Sequence, residues 1–180
     1  MAPDPLVAVK RGLAVFPIPP GGKRPAFPGW QRSALRDVDQ VRRVWRPGDN
    51  VGIGCWASGV VGLDLDVADG HHNTDVDGAD TLAALCAAHG QPWPRTLTVR
   101  TPSTGRHLYL RVPAGRVILS SSGGRSPLGP GIDVRGPGRG QRGGYLIGPD
   151  SVVHGRRYTV LDDLPIAELP AWMADLLEES

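Results

Sequence analysis

Hydrophobic and polar residues follow two different periods along the chain. Apolar residues spaced three or four positions apart predict helices at 5–13, 38–45, 80–89 and about 165–180. Alternating or short continuous apolar runs predict strands at 14–18, 50–55, 60–67, 96–101, 106–112, 131–136, 145–148, 151–154 and 157–160. Short turns predict hairpins between 50–55 and 60–67, between 96–101 and 106–112, and between 151–154 and 157–160. The pattern therefore predicts an α+β fold built on a mainly antiparallel sheet.

The strand predicted at 60–67 carries two carboxylates. Its apolar residues at 61, 63, 65 and 67 occupy one face. Because side chains alternate across a strand, Asp64 and Asp66 project together from the other face. Two carboxylates this close repel each other, and a divalent cation such as Mg²⁺ or Mn²⁺ would remove that repulsion. From this segment alone, a metal site and a strand with one solvated face are equally good interpretations.

Two later strands also carry polar residues on one face. His107 lies opposite the apolar residues at 108, 110 and 112, and Asp133 and Arg135 lie opposite those at 132 and 134. A histidine on a strand is usually structural, but its position on a polar face near a turn makes His107 a candidate ligand for phosphate or metal. By contrast, His71 and His72 match no metal-binding spacing, and we interpret their segment as a solvated loop. Three strand carboxylates and one histidine would form a single site if their strands lie side by side.

Composition and charge narrow the class of protein. The chain has 180 residues, and we treat 1–180 as a single domain. Its formal net charge is +2, so overall basicity does not indicate a nucleic-acid-binding protein. Cys55 and Cys86 form no C-x-x-C pair, which disfavours a zinc knuckle or a disulfide framework and favours a reducing cytoplasm. No long apolar run precedes Pro17, so the sequence indicates neither a secretory signal nor a membrane span there.

Four short motifs occur in a fixed order along nearly the whole chain. They are GKRP at 22–25 with GWQ at 29–31, NVGIG at 50–54 with LDLD at 63–66, TPSTGRHLY at 101–109, and GIDVRG at 131–136 with GGYLIGPDS at 143–151. Each motif alone is weak, but the ordered set is specific. Together they closely resemble the bifunctional primase-polymerase (Prim-Pol) domain of the archaeo-eukaryotic primase superfamily.

The resemblance implies roles for four residues. Asp64, Asp66 and Asp133 take the places of the family's acids, which hold two divalent metals, Mg²⁺ or Mn²⁺. His107 takes the place of the histidine that contacts the phosphates of the incoming nucleotide. Charge neutralisation in nucleotidyl transfer needs carboxylates from at least two strands, and these three acids would supply them.

The resemblance also implies a fold and a reaction. The family fold has an RRM-like catalytic subdomain beside a smaller α/β unit, which we expect at the N-terminus. The reaction is template-directed nucleotidyl transfer, with a single-stranded DNA template, a primer, and dNTP or rNTP as partners, in the replication of a plasmid, phage or mobile element. Family members are commonly fused to a helicase, so a helicase in the same or another chain is a candidate partner. The helix at about 165–180 is then a candidate lid or linker.

Further residues are candidates for contacts with phosphate. Lys23 lies on a Gly- and Pro-rich loop, where a solvated lysine is the alternative. Arg106, Arg135 and Ser151 are additional candidates for binding the nucleotide. For contacts with the template backbone, three arginines of the Gly-rich segment 120–144 are candidates, and a solvated loop is equally open for them: Arg125, Arg139 and Arg142.

Two other functions remain open from the sequence. A metal-dependent nuclease or phosphodiesterase uses similar acids for hydrolysis. A non-catalytic nucleic-acid-binding replication module could keep the fold without the reaction. A nucleotidyltransferase, acting as DNA primase and DNA polymerase, is the first hypothesis because the acids and the histidine occur in the family's order.

Overall fold

A computed structural model describes residues 2–68 and 75–178 of the chain. The helices are α1 Pro5–Lys10, α2 Val38–Val44, α3 Cys55–Ser58, α4 Gly78–Ala88 and α5 Ala171–Glu178. The strands are β1 Val15–Ile18, β2 Asn50–Gly54, β3 Val60–Leu65, β4 Thr98–Arg100, β5 Arg106–Arg111, β6 Ile132–Arg135, β7 Tyr145–Ile147, β8 Val152–Val153, β9 Arg156–Arg157, β10 Thr159–Asp162 and β11 Ala167–Glu168. The segment with His71 and His72 lies outside the described residues. The predicted α+β class with mainly antiparallel pairing is confirmed.

The smaller sheet has the order β1-β2-β7 and is antiparallel. Helix α2 begins at Asp37, whose side chain accepts a hydrogen bond from the Gln40 N–H at 2.8 Å. Both α1 and α2 pack near β1. Gly52 lies under the ring of Phe16, where a Cβ would be 2.3 Å from the ring carbon Cζ. Any side chain at position 52 would therefore push β1 and β2 apart.

The larger sheet has the order β10-β4-β5-β3-β6, and β11 adds to it in parallel with β5. One of its faces packs against α4 and α5 in an apolar cluster that includes Val61, Leu63 and Leu65 of β3. The opposite face contributes Val60 and Tyr109 to a second cluster, shared with the smaller sheet. The larger sheet is therefore sandwiched between two cores, and β3 lies near its centre.

The hairpin predicted between 50–55 and 60–67 is wrong. Strands β2 and β3 belong to different sheets, joined by the single helical turn α3. Gly59, with φ of 63°, ends that turn in the left-handed region that favours glycine. The turn redirects the chain from the smaller sheet into the larger one. The predicted hairpin of 96–101 and 106–112 is confirmed as β4 and β5.

The C-terminal helix starts later than predicted. Residues 165–170 are extended, and β11 pairs with β5 through Ala167 and Leu110. Proline at positions 165 and 170 disfavours helix in the residue before each, so α5 begins only at Ala171. Met173, Ala174 and Leu177 of α5 are buried in the apolar cluster beneath β3. The helix is thus packed into the core rather than standing apart as a lid.

Residues 151–160 also differ from the predicted hairpin. The hairpin is short, with β8 and β9 two residues long each, and the chain then continues as β10, which pairs with β4.

In the described part of the chain, no helix has the length and apolar character needed to cross a membrane.

Candidate active site

Three polar side chains form one row across three neighbouring strands. In the antiparallel register of β3 with β5, Asp64 lies opposite His107, and in the register of β3 with β6 it lies opposite Asp133. Directly opposed residues of antiparallel strands project from the same face with Cβ atoms about 5 Å apart. His107, Asp64 and Asp133, which are far apart in sequence, are therefore neighbours on one face of the larger sheet.

His107 is buried, and its ring has a defined position in the row. Its Nε2 lies 3.4 Å from the Oδ1 atom of Asp64, and its ring centroid lies 5.6 Å from that of Tyr158. Its Nδ1 atom has no hydrogen-bond partner among the described residues. A buried polar atom without a partner costs free energy. The ring is therefore held in the row by packing and by the approach of Nε2 to Asp64, and its Nδ1 atom is buried.

Asp133 is held by contacts from two directions. Arg135 donates a hydrogen bond from its guanidinium to Oδ2 at 2.9 Å, and the Gly123 backbone N–H donates to Oδ1 at 3.1 Å. Arg135 lies two positions further along β6, on the same face of the strand. A cation and a carboxylate thus occupy the same wall of the site.

Asp66 lies just beyond the end of β3. Its backbone N–H donates to the Gly131 carbonyl at 2.8 Å, and its own carbonyl accepts from the Gly78 N–H at 2.8 Å. The approach of Gly78 to Gly131 is close, since a Cβ at position 78 would lie 2.0 Å from the Gly131 oxygen. These backbone contacts fix Asp66 between the start of α4 and the start of β6, at the end of the row.

The row faces a cleft of about 420 Å³ between the two sheets. Asp66, Arg135 and Lys23 line it together with the row, and β7 of the smaller sheet forms its opposite wall. Tyr145 of β7 donates from its hydroxyl to the Lys23 carbonyl at 2.9 Å. That bond ties the Gly- and Pro-rich loop to the wall of the cleft and keeps Lys23 at its mouth.

Burial shapes the protonation of the tyrosines and the cysteine near the cleft. Burial, with smaller contributions from the nearby Asp64 carboxylate and Tyr145, raises the pKa of Tyr158. Burial also raises the pKa of Tyr145, although Arg135 and Arg24 act in the opposite direction. The buried thiol of Cys55 has its pKa raised to about 12 by desolvation. These groups stay neutral near pH 7 and serve as hydrogen-bonding or packing groups rather than as nucleophiles.

Two predicted nucleotide-binding residues do not line the cleft. Ser151 is fully buried, and its Oγ atom accepts a hydrogen bond from the Val51 N–H at 2.9 Å, so its side chain stabilises β2. Arg106 is exposed but precedes His107 directly on β5, so its side chain projects from the opposite face of the sheet. Both are corrected on this structure to positions outside the candidate site.

The three arginines predicted to contact template are exposed on loops rather than in the cleft. Arg125 lies on the loop whose Gly123 contacts Asp133, and its Nε donates to the Ser122 carbonyl at 3.4 Å. Arg139 and Arg142 lie on the loop between β6 and β7. All three positions are open to solvent near segments that border the cleft.

The sequence reasoning missed three polar side chains that line the cleft: Ser120, Tyr145 and Tyr158. Tyr145 lies inside one of the four ordered motifs, at 143–151, so that motif could have indicated it. Tyr158 carried no such signal, because it reaches His107 only through the fold of the β8–β9 hairpin. Ser120 lies in the Gly-rich segment, and no sequence pattern around it indicates a role in the site.

The donor set fits a divalent cation that completes its coordination with substrate and water. Within the described residues, no group of three or more His, Cys, Asp or Glu side chains is arranged so that it could hold a metal ion. Mg²⁺ is typically bound by only one or two carboxylates, with waters and substrate phosphates in the other positions. Asp64 and Asp133, opposed on adjacent strands with Asp66 in the same cleft, provide oxygen donors of that kind.

A comparison with protein families matches nearly the whole chain. The model described as bifunctional DNA primase/polymerase, N-terminal (Prim-Pol) matches residues 5–172. No match was found among curated proteins. The match spans all four motifs and all residues of the row, so the resemblance seen in the motifs is confirmed.

Proposed function

The chain belongs to the Prim-Pol family, which implies nucleotidyltransferase activity, and we propose that it is a DNA primase and polymerase. In this proposal it adds dNTP or rNTP to a primer along a single-stranded DNA template and also makes primers. The observation that carries the proposal is the row of His107, Asp64 and Asp133, which faces a cleft that also holds Arg135 and Lys23.

The carboxylates are proposed to hold divalent metal. Asp64, Asp66 and Asp133 would bind Mg²⁺ or Mn²⁺ at two positions, and the placement of two carboxylates on adjacent strands supports this because a divalent cation between them would offset their repulsion. When bound, the metal ions neutralise phosphate charge and favour ionisation of the attacking hydroxyl. Asp133 is positioned for this role by the Gly123 N–H and the Arg135 guanidinium.

The basic side chains are proposed to bind the triphosphate. Arg135 presents a planar fork that suits phosphate oxygens, and Lys23 adds a second positive charge at the mouth of the cleft. His107 would face the phosphates of the nucleotide from the row, with its Nε2 atom 3.4 Å from Oδ1 of Asp64. In the reaction, the 3′-hydroxyl oxygen forms a bond to the α-phosphorus, and pyrophosphate leaves.

The two sheets support a correspondence with the family's architecture. We assign the larger sheet, which carries the row, to the RRM-like catalytic subdomain. The smaller sheet with α1 and α2 would be the N-terminal α/β unit, completed by β7 from later in the chain. Residues 1–180 then act as a single catalytic domain, with the cleft between its two sheets.

Isosteric loss of either carboxylate of the row tests the proposal. We expect Asp64→Asn and Asp133→Asn to reduce templated incorporation by about 100-fold or more, because removing a metal ligand costs several kcal/mol of transition-state stabilisation. The matched control is Asp39→Asn, on the exposed surface of α2, which should leave the rate unchanged. The assay follows labelled nucleotide on a primed and an unprimed single-stranded template, with Mg²⁺ or Mn²⁺.

The same wild-type and variant proteins distinguish the proposed activity from a nuclease and from a non-catalytic module. Undiminished incorporation by either variant of the row, with circular dichroism unchanged, would contradict the proposal. Cleavage of DNA by the wild-type chain with Mn²⁺ and without nucleotides would instead identify a nuclease. DNA binding that is indifferent to EDTA, together with no incorporation under any condition, would identify a non-catalytic module.

A further inference from the structure

A second groove lies on the outer side of the cleft wall. It has a volume of about 530 Å³, and its lining includes Arg24, Pro25, Phe27, Pro28, Trp30 and Tyr145. Phe27 is 37% exposed and lies among other apolar residues of the groove. The groove thus combines exposed aromatic surface with a guanidinium.

The groove is held in shape by contacts on both sides. Trp30 packs between Phe16 and Tyr145, with ring centroids 4.7 and 4.9 Å away. The loop is tied down by the Tyr145 hydroxyl, which donates to the Lys23 carbonyl at 2.9 Å, and by Asn50, whose side-chain amide donates to the Gly22 carbonyl at 2.9 Å. Its aromatic surface is therefore preorganised, which reduces the entropic cost of binding a ligand.

The groove adjoins the cleft at Tyr145. Tyr145 lines both, and the consecutive residues Lys23 and Arg24 line the cleft and the groove respectively. A polymer bound in the cleft would therefore pass from one to the other across Tyr145. Alternation of positive charge and aromatic rings along one path is the arrangement that binds single-stranded nucleic acid without reading its sequence.

We propose that this groove binds the single-stranded DNA template, with a base stacked on Phe27 and a backbone phosphate on Arg24. The inference rests on the proposed function, because it takes the cleft as the place of nucleotide addition. An open groove suits a strand that continues through it better than a mononucleotide, which needs an enclosing pocket. The groove's ligand is thus distinct from the nucleotide whose phosphates are assigned to Arg135 and His107.

A groove elsewhere on the surface provides an internal contrast. It is lined by Trp93, Pro94 and Arg95, but it also carries Asp162 and Asp163. Two carboxylates repel a phosphate backbone, so this groove is expected not to bind DNA despite its aromatic ring, proline and arginine. Its residues supply matched controls.

The test measures binding of a fluorescein-labelled oligothymidylate by anisotropy, in EDTA and without nucleotide. We expect Phe27→Ala to weaken binding by about 5- to 150-fold, the loss measured for one stacked base, and Phe27→Tyr to retain it. Arg24→Ala should weaken binding and lower the slope of log K against log salt by about 0.7, one phosphate contact on a single strand. Phe27→Ala should leave that slope unchanged.

The controls match in exposure, and Arg95 also matches Arg24 in residue type. Leu161→Ala, at a side chain 39% exposed, and Arg95→Ala should both bind as the wild type does. Circular dichroism verifies the fold of each variant. Wild-type affinity of both Phe27→Ala and Arg24→Ala would overturn the inference, as would an effect of Phe27→Ala on nucleotide KM without one on oligonucleotide binding. Binding of the oligonucleotide is measured without nucleotide, and incorporation is measured in a separate assay. A failure of the groove proposal therefore appears in the binding assay, and a failure of the nucleotidyl-transfer proposal appears in the incorporation assay.

Discussion

The side chain of Asn50 is predicted to hold the Gly- and Pro-rich loop at 19–29 in place, and Asn50→Ala tests this. Asn50 is 1% exposed, and its amide makes three hydrogen bonds. It donates to the Gly22 carbonyl at 2.9 Å and to the Val152 carbonyl at 2.8 Å, and it accepts from the Val152 N–H at 2.8 Å. Strand β2, the loop at 19–29 and strand β8 therefore meet at one residue.

The size of the effect follows from the three bonds. Each contributes about 1 kcal/mol net, and Asn50→Ala leaves buried backbone groups without partners, so we expect the free energy of unfolding to fall by about 2–4 kcal/mol. Ser58→Ala is the matched control, since the Ser58 Oγ atom accepts a single good bond, at 2.9 Å from the Ala14 N–H. It should cost about 1 kcal/mol. Urea denaturation followed by circular dichroism measures both.

The functional consequence of Asn50→Ala is predicted from the position of Gly22. Lys23 and Arg24 follow it directly, so loosening Gly22 should raise the KM for nucleotide more than it lowers kcat, and should weaken binding of the oligonucleotide. Ser58→Ala should change neither. An Asn50→Ala protein within about 0.5 kcal/mol of the wild type, the range of an ordinary surface substitution, would refute the role assigned to the three bonds.

Two further predictions concern packing and pH. A Cβ at position 62 would lie 2.3 Å from Cδ1 of Leu146, so Gly62→Ala should lower the free energy of unfolding by about 1–3 kcal/mol. In thermal denaturation, the double variant with Leu146→Val should recover part of that loss. Full stability of Gly62→Ala would contradict the close contact. Hydrogen bonds from Arg116 and from the Val117 N–H hold the pKa of Glu178 below its usual 4.5, so the stability they contribute is present above pH 4.5 and is lost as the pH falls through the lowered pKa. The urea midpoint of Glu178→Gln should therefore lie below that of the wild type at pH 7 and converge with it in acid, and an equal gap at both pH values would contradict this linkage.

The polar faces of the site were predictable because alternation along a strand is a local property. Asp64 and Asp133 have apolar neighbours on both sides, and His107 is followed by apolar residues at 108, 110 and 112, so alternation gave the face from which each projects. The same rule places Arg106 on the face opposite to His107, and the prediction that included Arg106 did not apply it. The order of the strands is not a local property, and only the family resemblance implied that these residues act at one site.

Residues whose role depends on distant contacts were not predictable. Ser151 is separated by 100 positions from Val51, whose N–H it accepts, and no pattern near Ser151 indicates that partner. The supposed hairpin of β2 and β3 failed for a related reason, since the five residues between Gly54 and Val60 are compatible with both a hairpin loop and a helical turn. Strand β7 pairs with β2 in the smaller sheet and lines the cleft, so the cleft is bounded by two sheets. No local pattern in the sequence indicates this pairing.

The register that builds the row is enforced by burial of apolar residues. On β3, the face with Val61 and Leu63 packs in one core, while the other face passes from buried Val60, past Gly62, to Asp64 in the cleft. A slip of one residue in any strand of the row would exchange the two faces. On β3 it would place the Asp64 carboxylate in the apolar cluster beneath α4 and α5, at a large desolvation cost.

The neighbouring strands impose the same condition. On β5 the apolar face carries Leu108 and Leu110, and on β6 it carries Ile132 and Val134, all within the same cluster. The arrangement in which all three strands bury these faces together is also the arrangement that aligns His107, Asp64 and Asp133. Stability and site geometry therefore have one cause, so substitutions that shift a strand by disturbing this core should impair the site even where they contact none of its residues.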